Sequence, residues 1–506
     1  MRKINRKKVV NLVGFIMFVV IVSRVFLNVT YLFRNVTMDR YHIVGLEQEN
    51  VDMVYIGGSA AFVYWQPLKA WNDYGYTSYS YATNTIQAES LKAYVEEVHK
   101  KQNPELFVIG VRAFQYYSDE PSEAGIRNSS DFMDMTSISR YKLLNQYFKN
   151  RNVSKDTDKL SYYLDIAKYH TNTSNLASKE AWGFINNNGK SENKGWEWMD
   201  SYAYLDAPKD YETQERAELL ENDKKILEEL LSYCKSEKLN VLFVVCPYWI
   251  TKEDQAKYNT IGDMIKESGF NYLNANDYYD EMKLDFSTDF YNKNHVNQFG
   301  AEKYTAFLEK YISDNYNLIS HKGDSAYASW DDAYNQYSQQ EKTHANAVTQ
   351  LKESFEKSDE IQKQMIETQS LAEWWKLASE NRFSLLIAGT QSVNYPQNIS
   401  DQKVLAEWGI AQDENNYIRA INGGKIEYSN AVNKVLTANG VLGMWYDTEY
   451  YISIQQNQLI ISIDDNQIDT DEGKINIVIF DNWYRKFVGN LTLSENENGK
   501  LEINYH

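Results

Sequence analysis

Ser59 follows Gly57 and Gly58 directly, and His295 stands far downstream in the stretch Ser287-Thr-Asp-Phe-Tyr-Asn-Lys-Asn-His295-Val-Asn-Gln-Phe-Gly300. A serine hydroxyl is a poor nucleophile near neutral pH and needs a base to take its proton, and an imidazole is the side chain best suited to that exchange. Together these types predict a serine nucleophile served by a histidine base. Gly58 lets the backbone turn sharply, which leaves the Ser59 hydroxyl exposed and backbone N–H groups near a developing oxyanion. The plain alternatives are a turn serine that caps the next helix and a surface histidine.

These residues need elements to position them. Val51 to Ile56 (VDMVYI), Leu106 to Val111 (LFVIGV) and Val241 to Cys246 (VLFVVC) are near-continuous apolar runs, as strands buried on both faces of a parallel sheet require. Helical spacing predicts helices over Gln87 to Lys101, Asp210 to Lys235, Lys252 to Ser268 and Gly300 to Tyr311, with a short strand at Tyr272 and Leu273. This β then α alternation predicts a doubly wound parallel sheet. Ser59 then sits at the carboxyl end of the first strand, where open sheets place their ligands. Asn84 in Ser80-Tyr-Ala-Thr-Asn84 and Arg112, just beyond the second strand, are candidate oxyanion or substrate contacts, with Phe114 beside them; packing at a strand end is the alternative for each. A Tyr-, Asn- and Ser-rich insertion at about 128–206, carrying Trp196, Trp198 and Tyr202, either shapes a substrate cleft or is a solvated elaboration.

Composition narrows the partners. A net charge of -18 excludes a phosphate-binding surface of the nucleic-acid type. The 40 Tyr and 12 Trp offer surfaces that stack on sugar rings, although buried tyrosines with satisfied hydroxyls account for them equally well. Cys234 and Cys246 fall in no ligand or redox pattern and read as structural thiols, so no metal and no cofactor is expected. Arg2, Lys3, Arg6, Lys7 and Lys8 precede an apolar run from Val9 through Leu27, interrupted by Ser23 and Arg24. With no small-residue cleavage site after it, residues 1–34 read as an uncleaved anchor, its basic end in the cytoplasm and the bulk of the chain outside the cell. After Leu318 the chain turns polar and helix-favouring, a connector at 319–380, and then alternates β-rich segments with turns over 381–506.

Tyr55-Ile-Gly-Gly-Ser59-Ala together with Asp289-Phe-Tyr-Asn-Lys-Asn-His295-Val-Asn-Gln-Phe-Gly300 resembles the first and last sequence blocks of the SGNH/GDSL-like hydrolases. Within them it is most similar to the membrane-anchored branch of the D-alanyl-lipoteichoic acid protein DltD and the alginate O-acetylation proteins; the likeness covers about 45–318 and implies a flavodoxin-like doubly wound sheet there. The resemblance implies an O-acyltransferase or esterase acting on a cell-wall or extracellular polysaccharide, or a teichoic-acid-type substrate, with a membrane-bound O-acyltransferase as partner. It also implies an Asp three residues before the histidine, where this chain has Asn292, so either Asp289 substitutes or the catalytic power falls. That departure keeps open a second reading, a non-catalytic glycan-binding or assembly scaffold. Phe383-Ser-Leu-Leu-Ile-Ala-Gly, Leu405-Ala-Glu-Trp-Gly, Tyr417-Ile-Arg-Ala-Ile-Asn-Gly-Gly and Lys474-Ile-Asn-Ile-Val-Ile-Phe-Asp-Asn resemble the interleukin-like EMT inducer domain, which implies a module that binds glycan or a partner.

Overall fold

The computed structural model describes residues 6–34, 51–115, 123–150, 157–178, 182, 191–356, 358–379, 382–390, 396–422, 425–431, 436–443, 448–455, 458–464, 466–482, 484 and 486–506. Arg2, Lys3, the first residues of the span 45–318, part of the 128–206 insertion, the 380/381 boundary and the Gly423-Gly424 pair lie outside the described residues. The chain divides into two compact units, one of residues 1–201 with 206–346, the other of 202–205 with 347–506.

The first unit is built on five parallel strands: β1 (Met53–Gly57), β2 (Ser78–Ala82), β3 (Leu106–Gly110), β4 (Val241–Val245) and β5 (Asn271–Asn274), in spatial order β2-β1-β3-β4-β5. The apolar runs form these strands because helices cover both faces, so β1 and β4 are buried at every position. Strand order reverses between β1 and β3, and the crevice at such a switch point opens at the carboxyl ends of the strands. Helix α1 (Arg6–Phe33) precedes the sheet. Its segment Asn11–Phe33 is long and apolar enough to cross a membrane. Helix α2 (Ser59–Tyr64) follows β1, α3 (Ala88–Lys101) links β2 to β3, α6 (Glu221–Ser236) leads into β4, α7 (Lys252–Glu267) leads into β5, and α8 (Gln298–Asn315) closes the unit.

Two expectations need correction here. The helix predicted from Asp210 begins only at Glu221. The preceding stretch is an irregular strap held on α7, where Ala217 N–H donates to the Ala256 carbonyl (3.1 Å) and the Asn259 amide donates to the Thr213 carbonyl (2.8 Å). Tertiary hydrogen bonding overrides helix periodicity there. The insertion is also no loose elaboration: α4 (Ile138–Asn150) packs on α3 and sends Leu143, Leu144 and Tyr147 into the main core. Trp196 is buried in the same core, and Trp198 stacks between Tyr337 and His344, so neither ring offers a free face to a sugar. Cys234 and Cys246 are free, buried thiols.

In the second unit a six-stranded antiparallel sheet runs β10 (Lys425–Ala431), β9 (Tyr417–Asn422), β8 (Phe383–Gly389), β15 (Ile475–Asp481), β16 (Lys486–Glu495) and β17 (Leu501–Tyr505). A second sheet contains β11 (Leu436–Leu442), β12 (Thr448–Gln455), β13 (Gln458–Ile463) and β14 (Asn466–Ile468). Alternation along the central strands divides two cores: Leu385, Ile387, Ile477 and Ile479 face the helices Leu371–Ala378 and Ile399–Glu407, while Leu386, Ala388, Val478 and Phe480 face the four-stranded sheet. The β-rich character is as expected. The stretch 319–380 is helical but is divided between the units, inside the helix Ala328–Glu356, and Leu371, Trp374 and Trp375 belong to the C-terminal core.

Candidate active site

The turn after β1 delivers Ser59 to the switch point. Gly57 is needed for proximity: a Cβ there would stand 3.1 Å from the Ala61 Cβ, tighter than side chains tolerate without a shift. Gly58 is the N-cap of α2 in an extended conformation, and the residues from Gly58 to Ala60 remain partly exposed at the mouth.

His295 arrives on a hairpin whose strands are Phe290–Asn292 (β6) and His295–Val296 (β7). Its turn is only Lys293 and Asn294, so Asn292 and His295 are direct cross-strand partners. Asn297 caps α8, its side-chain oxygen accepting from the Phe299 and Gly300 N–H groups and its amide donating to the Thr288 carbonyl (2.8 Å). Gly300 is compulsory for packing, since a Cβ there would stand 2.5 Å from the Asp289 carbonyl oxygen. The His-x-Asn-x-x-Gly pattern is thus a hairpin, a cap and a close approach.

Ser59 Oγ lies 2.7 Å from His295 Nε2, and His295 Nδ1 lies 3.1 Å from Asn292 Oδ1. The proton positions follow from one further bond. Asn292 Oδ1 accepts the backbone N–H of Asn294 at 2.8 Å, a group that can only donate, so this atom is the amide oxygen. Nδ1 of His295 therefore carries a hydrogen and donates it to Asn292. Nε2 is left with a lone pair, which accepts the Ser59 hydroxyl proton. Burial, with the Arg112 guanidinium adding to it, lowers the His295 imidazole from its ordinary value to about 3. The ring is neutral, as a base must be, throughout the physiological range.

The Asp289 side chain is engaged away from the His295 ring. Its buried carboxylate accepts from the Asp285 N–H (2.8 Å) and the Thr288 hydroxyl (2.9 Å) and pairs with Lys303 Nζ (2.5 Å). It braces the start of the hairpin from before the strand, whereas the residue facing His295 across the turn is Asn292.

Arg112, buried just after β3, turns its guanidinium to the tip of the hairpin. Its Nη1 donates to the Asn294 carbonyl at 2.6 Å and its Nη2 to the Asn294 side-chain oxygen at 3.0 Å, while the guanidinium lies 4.0 Å over the Tyr248 ring. Tyr64, at the end of α2, donates to the same carbonyl at 3.1 Å. The serine helix and the end of β3 thus clamp the tip of the histidine hairpin together. Helix α8 adds Thr305, whose hydroxyl bridges Gln66 N–H and the Tyr64 carbonyl (both 3.1 Å), and Tyr304, which is 3.0 Å from the Tyr55 hydroxyl. Asn294, Tyr64 and Thr305 escaped sequence reasoning, since nothing local marks them. Burial pushes the neighbouring Cys246 thiol up, so it stays protonated and is no rival nucleophile.

Asn84 lies exposed in the turn after β2. That turn walls the serine: a Cβ on Gly58 would contact the Ile86 side chain (3.5 Å) and the Thr83 carbonyl (3.9 Å). Phe114 is fully buried and lines no cleft. No group of metal-ligating side chains occurs among the described residues. An open polar hollow of about 370 Å³ between the 211–216 strap, α7 and β5 shares no lining residue with the Ser59 site. The sequence matches no protein-family model and no curated protein.

Proposed function

We propose that this chain is a membrane-anchored, extracytoplasmic serine O-acyltransferase or esterase of the SGNH type, acting on a cell-wall or extracellular polysaccharide. The observation that carries the reading is the unbroken relay from Ser59 Oγ through His295 to Asn292 Oδ1, with the histidine tautomer fixed by the Asn294 N–H. The strand order β2-β1-β3-β4-β5, which is that of flavodoxin-like sheets, supports the fold assignment. The apolar span of α1 supports the anchor, and the basic residues before it support a cytoplasmic N-terminus.

In the first half-reaction the Ser59 Oγ attacks the carbonyl carbon of an acyl ester while its proton passes to His295 Nε2. The tetrahedral intermediate collapses as the imidazolium returns that proton to the departing alcohol, leaving an acyl-Ser59 ester. In the second half a glycan hydroxyl, or water in an esterase, attacks the acyl carbon with His295 again taking the proton; the acyl–Oγ bond then breaks and the imidazolium returns that proton to Ser59. Asn292 holds the ring but contributes no negative charge to the imidazolium. A membrane-bound O-acyltransferase that presents acyl groups at the outer face is the partner such a reaction calls for. The C-terminal unit we read as an interleukin-like EMT inducer-like module that holds glycan or a partner.

The test is covalent labelling of the full chain with a serine-directed fluorophosphonate, alongside turnover of a chromogenic acetyl ester. Labelling that disappears in Ser59→Ala and weakens in His295→Ala is expected. If the unmodified protein neither labels nor turns over ester, the enzyme reading fails and the scaffold reading, which Asn292 favours, replaces it. Turnover without transfer to any added glycan selects the esterase.

A further inference from the structure

The exposed part of α1 runs from Leu12 to Val29, about 27 Å at ~1.5 Å per residue, close to the ~30 Å of a hydrocarbon core. Among the described residues no exposed helical turn separates this run from the folded body. Its last turn is taken up by the folded body: Thr30, Leu32 and Arg34 are buried, and Tyr31 donates to Asp134 Oδ2 at 3.1 Å. The Asn172 and Asn175 amides donate to the Phe33 and Arg34 carbonyls (both 3.0 Å), closing the helix end. Arg34 pairs with Asp165 at 3.2 Å. Residues that bind this turn are therefore at the level of the lipid headgroups.

Beside them the chain exposes large apolar side chains: Ile138 (70%), Leu164 (38%), Leu176 (44%) and Trp182 (44%). Leu164 precedes Asp165 and Leu176 follows Asn175, while Ile138 stands one turn after the Asp134 loop. Trp182 donates its indole N–H to the Leu176 carbonyl at 2.8 Å, which ties it to the same group. We propose that this collar is a lipid-contacting surface, seated at the headgroup–acyl boundary of the leaflet from which α1 emerges. Tryptophan and aliphatic side chains favour that depth. The net charge of -18 makes electrostatic attachment to anionic lipid a poor alternative, so zwitterionic lipid should suffice. The body would then be fixed in one orientation on the bilayer, presenting acceptor chains to a site at constant height. This inference does not depend on the chemistry of Ser59.

The test places an environment-sensitive nitrobenzoxadiazole label on the full chain, in lipid-only phosphatidylcholine nanodiscs, through Ile138→Cys, Leu164→Cys or Leu176→Cys. Phe18→Cys in α1 and Lys266→Cys at the end of α7 serve as lipid and water references; both native cysteines are buried. A shallow nitroxide lipid should quench the three collar labels roughly twofold or more and an acyl-chain nitroxide the Phe18→Cys label, with Lys266→Cys unaffected by either. Quenching at Phe18→Cys without quenching at any collar position would overturn the proposal. Absence of quenching at Phe18→Cys would remove the membrane helix and the collar with it.

Discussion

Two buried polar clusters in the first unit handle charge in opposite ways. At the foot of α1, Arg140 pairs with Asp165 (2.5 Å) and Asp131 (2.9 Å), Arg34 adds to Asp165, and Tyr169 donates to Asp131 (2.6 Å). Every charge there meets an opposite charge, which is what permits ions in a low-dielectric interior. At the serine site the ion that acts on His295, among the described residues, is the cation Arg112, and the position facing the imidazole holds a neutral amide. One cluster is a closed fastening. The other is kept short of negative charge, so its histidine stays a neutral base, and one end opens to solvent at Ser59. Burial alone does not distinguish structure from chemistry; an uncompensated balance of charge does.

The largest effect expected on the open cluster comes from His295→Ala, which should slow acyl-Ser59 formation by roughly 10²- to 10⁴-fold, read as fluorophosphonate labelling rate. It should also alter acid sensitivity. Because the folded state holds His295 far below its ordinary value, the unfolded chain takes up a proton that the folded one refuses as pH falls from about 6.5 towards about 3. Stability from this group is thus lost over that window as pH falls. The variant should show a shallower acid decline of its thermal midpoint, and an unchanged decline would place the pH dependence elsewhere.

Asp165→Asn attacks the closed cluster. Two arginines lose a buried counter-ion, at a cost of about 3–5 kcal/mol, visible as a lowered midpoint in calorimetry. Labelling per folded molecule should be unaffected. If labelling falls with stability retained, the two clusters are coupled and the contrast between them fails.

How much of this contrast was legible in the sequence depends on distance along the chain. VDMVYI, LFVIGV and VLFVVC declared a buried parallel sheet because burial on both faces suppresses alternation, and the glycines before Ser59 declared a turn at its end. The histidine was visible from its place before a capped helix. The choice between Asp289 and Asn292 was not, because it depends on hairpin register: a two-residue turn puts Asn292 opposite His295 and leaves Asp289 to Lys303. Arg112 was visible as a strand-end residue but its partner, Asn294, lies 182 positions away. The Arg34–Asp165 pair joins the apolar helix α1 to an insertion that composition made look loose. The strap before α6 misled for the opposite reason, since its periodicity was real but its hydrogen bonds go to α7.

Arg112→Lys sharpens the comparison by keeping charge while removing geometry. An ammonium cannot reach both oxygens of Asn294 as a guanidinium fork does. The hairpin tip should loosen and kcat for ester turnover fall roughly ten- to a hundredfold, with the acid limb of the pH profile unmoved. Arg112→Gln should show the same loss and in addition shift the acid limb upward, since the cation that opposes imidazolium formation is gone. If both variants behave alike in pH, Arg112 acts through position only.

Asn292→Asp makes the open cluster resemble the closed one, and its effect should be the smallest in rate and the clearest in pH. In a triad whose Asp is replaced, an amide can present its N–H₂ and impose the wrong tautomer, which accounts for large losses. Here the Asn294 N–H already fixes the amide oxygen towards His295, so the native chain holds the productive tautomer without a carboxylate. What the aspartate adds is only the negative charge that stabilises the imidazolium as Ser59 is acylated, about tenfold in rate, or ~1.4 kcal/mol. The same charge favours protonation of the resting ring, so the acid limb should move up by roughly 1–3 pH units. The variant should therefore outrun the native protein above neutral pH and fall behind it in acid, with the two profiles crossing. Profiles that coincide over the whole range would mean that His295 is not the group whose protonation limits the reaction.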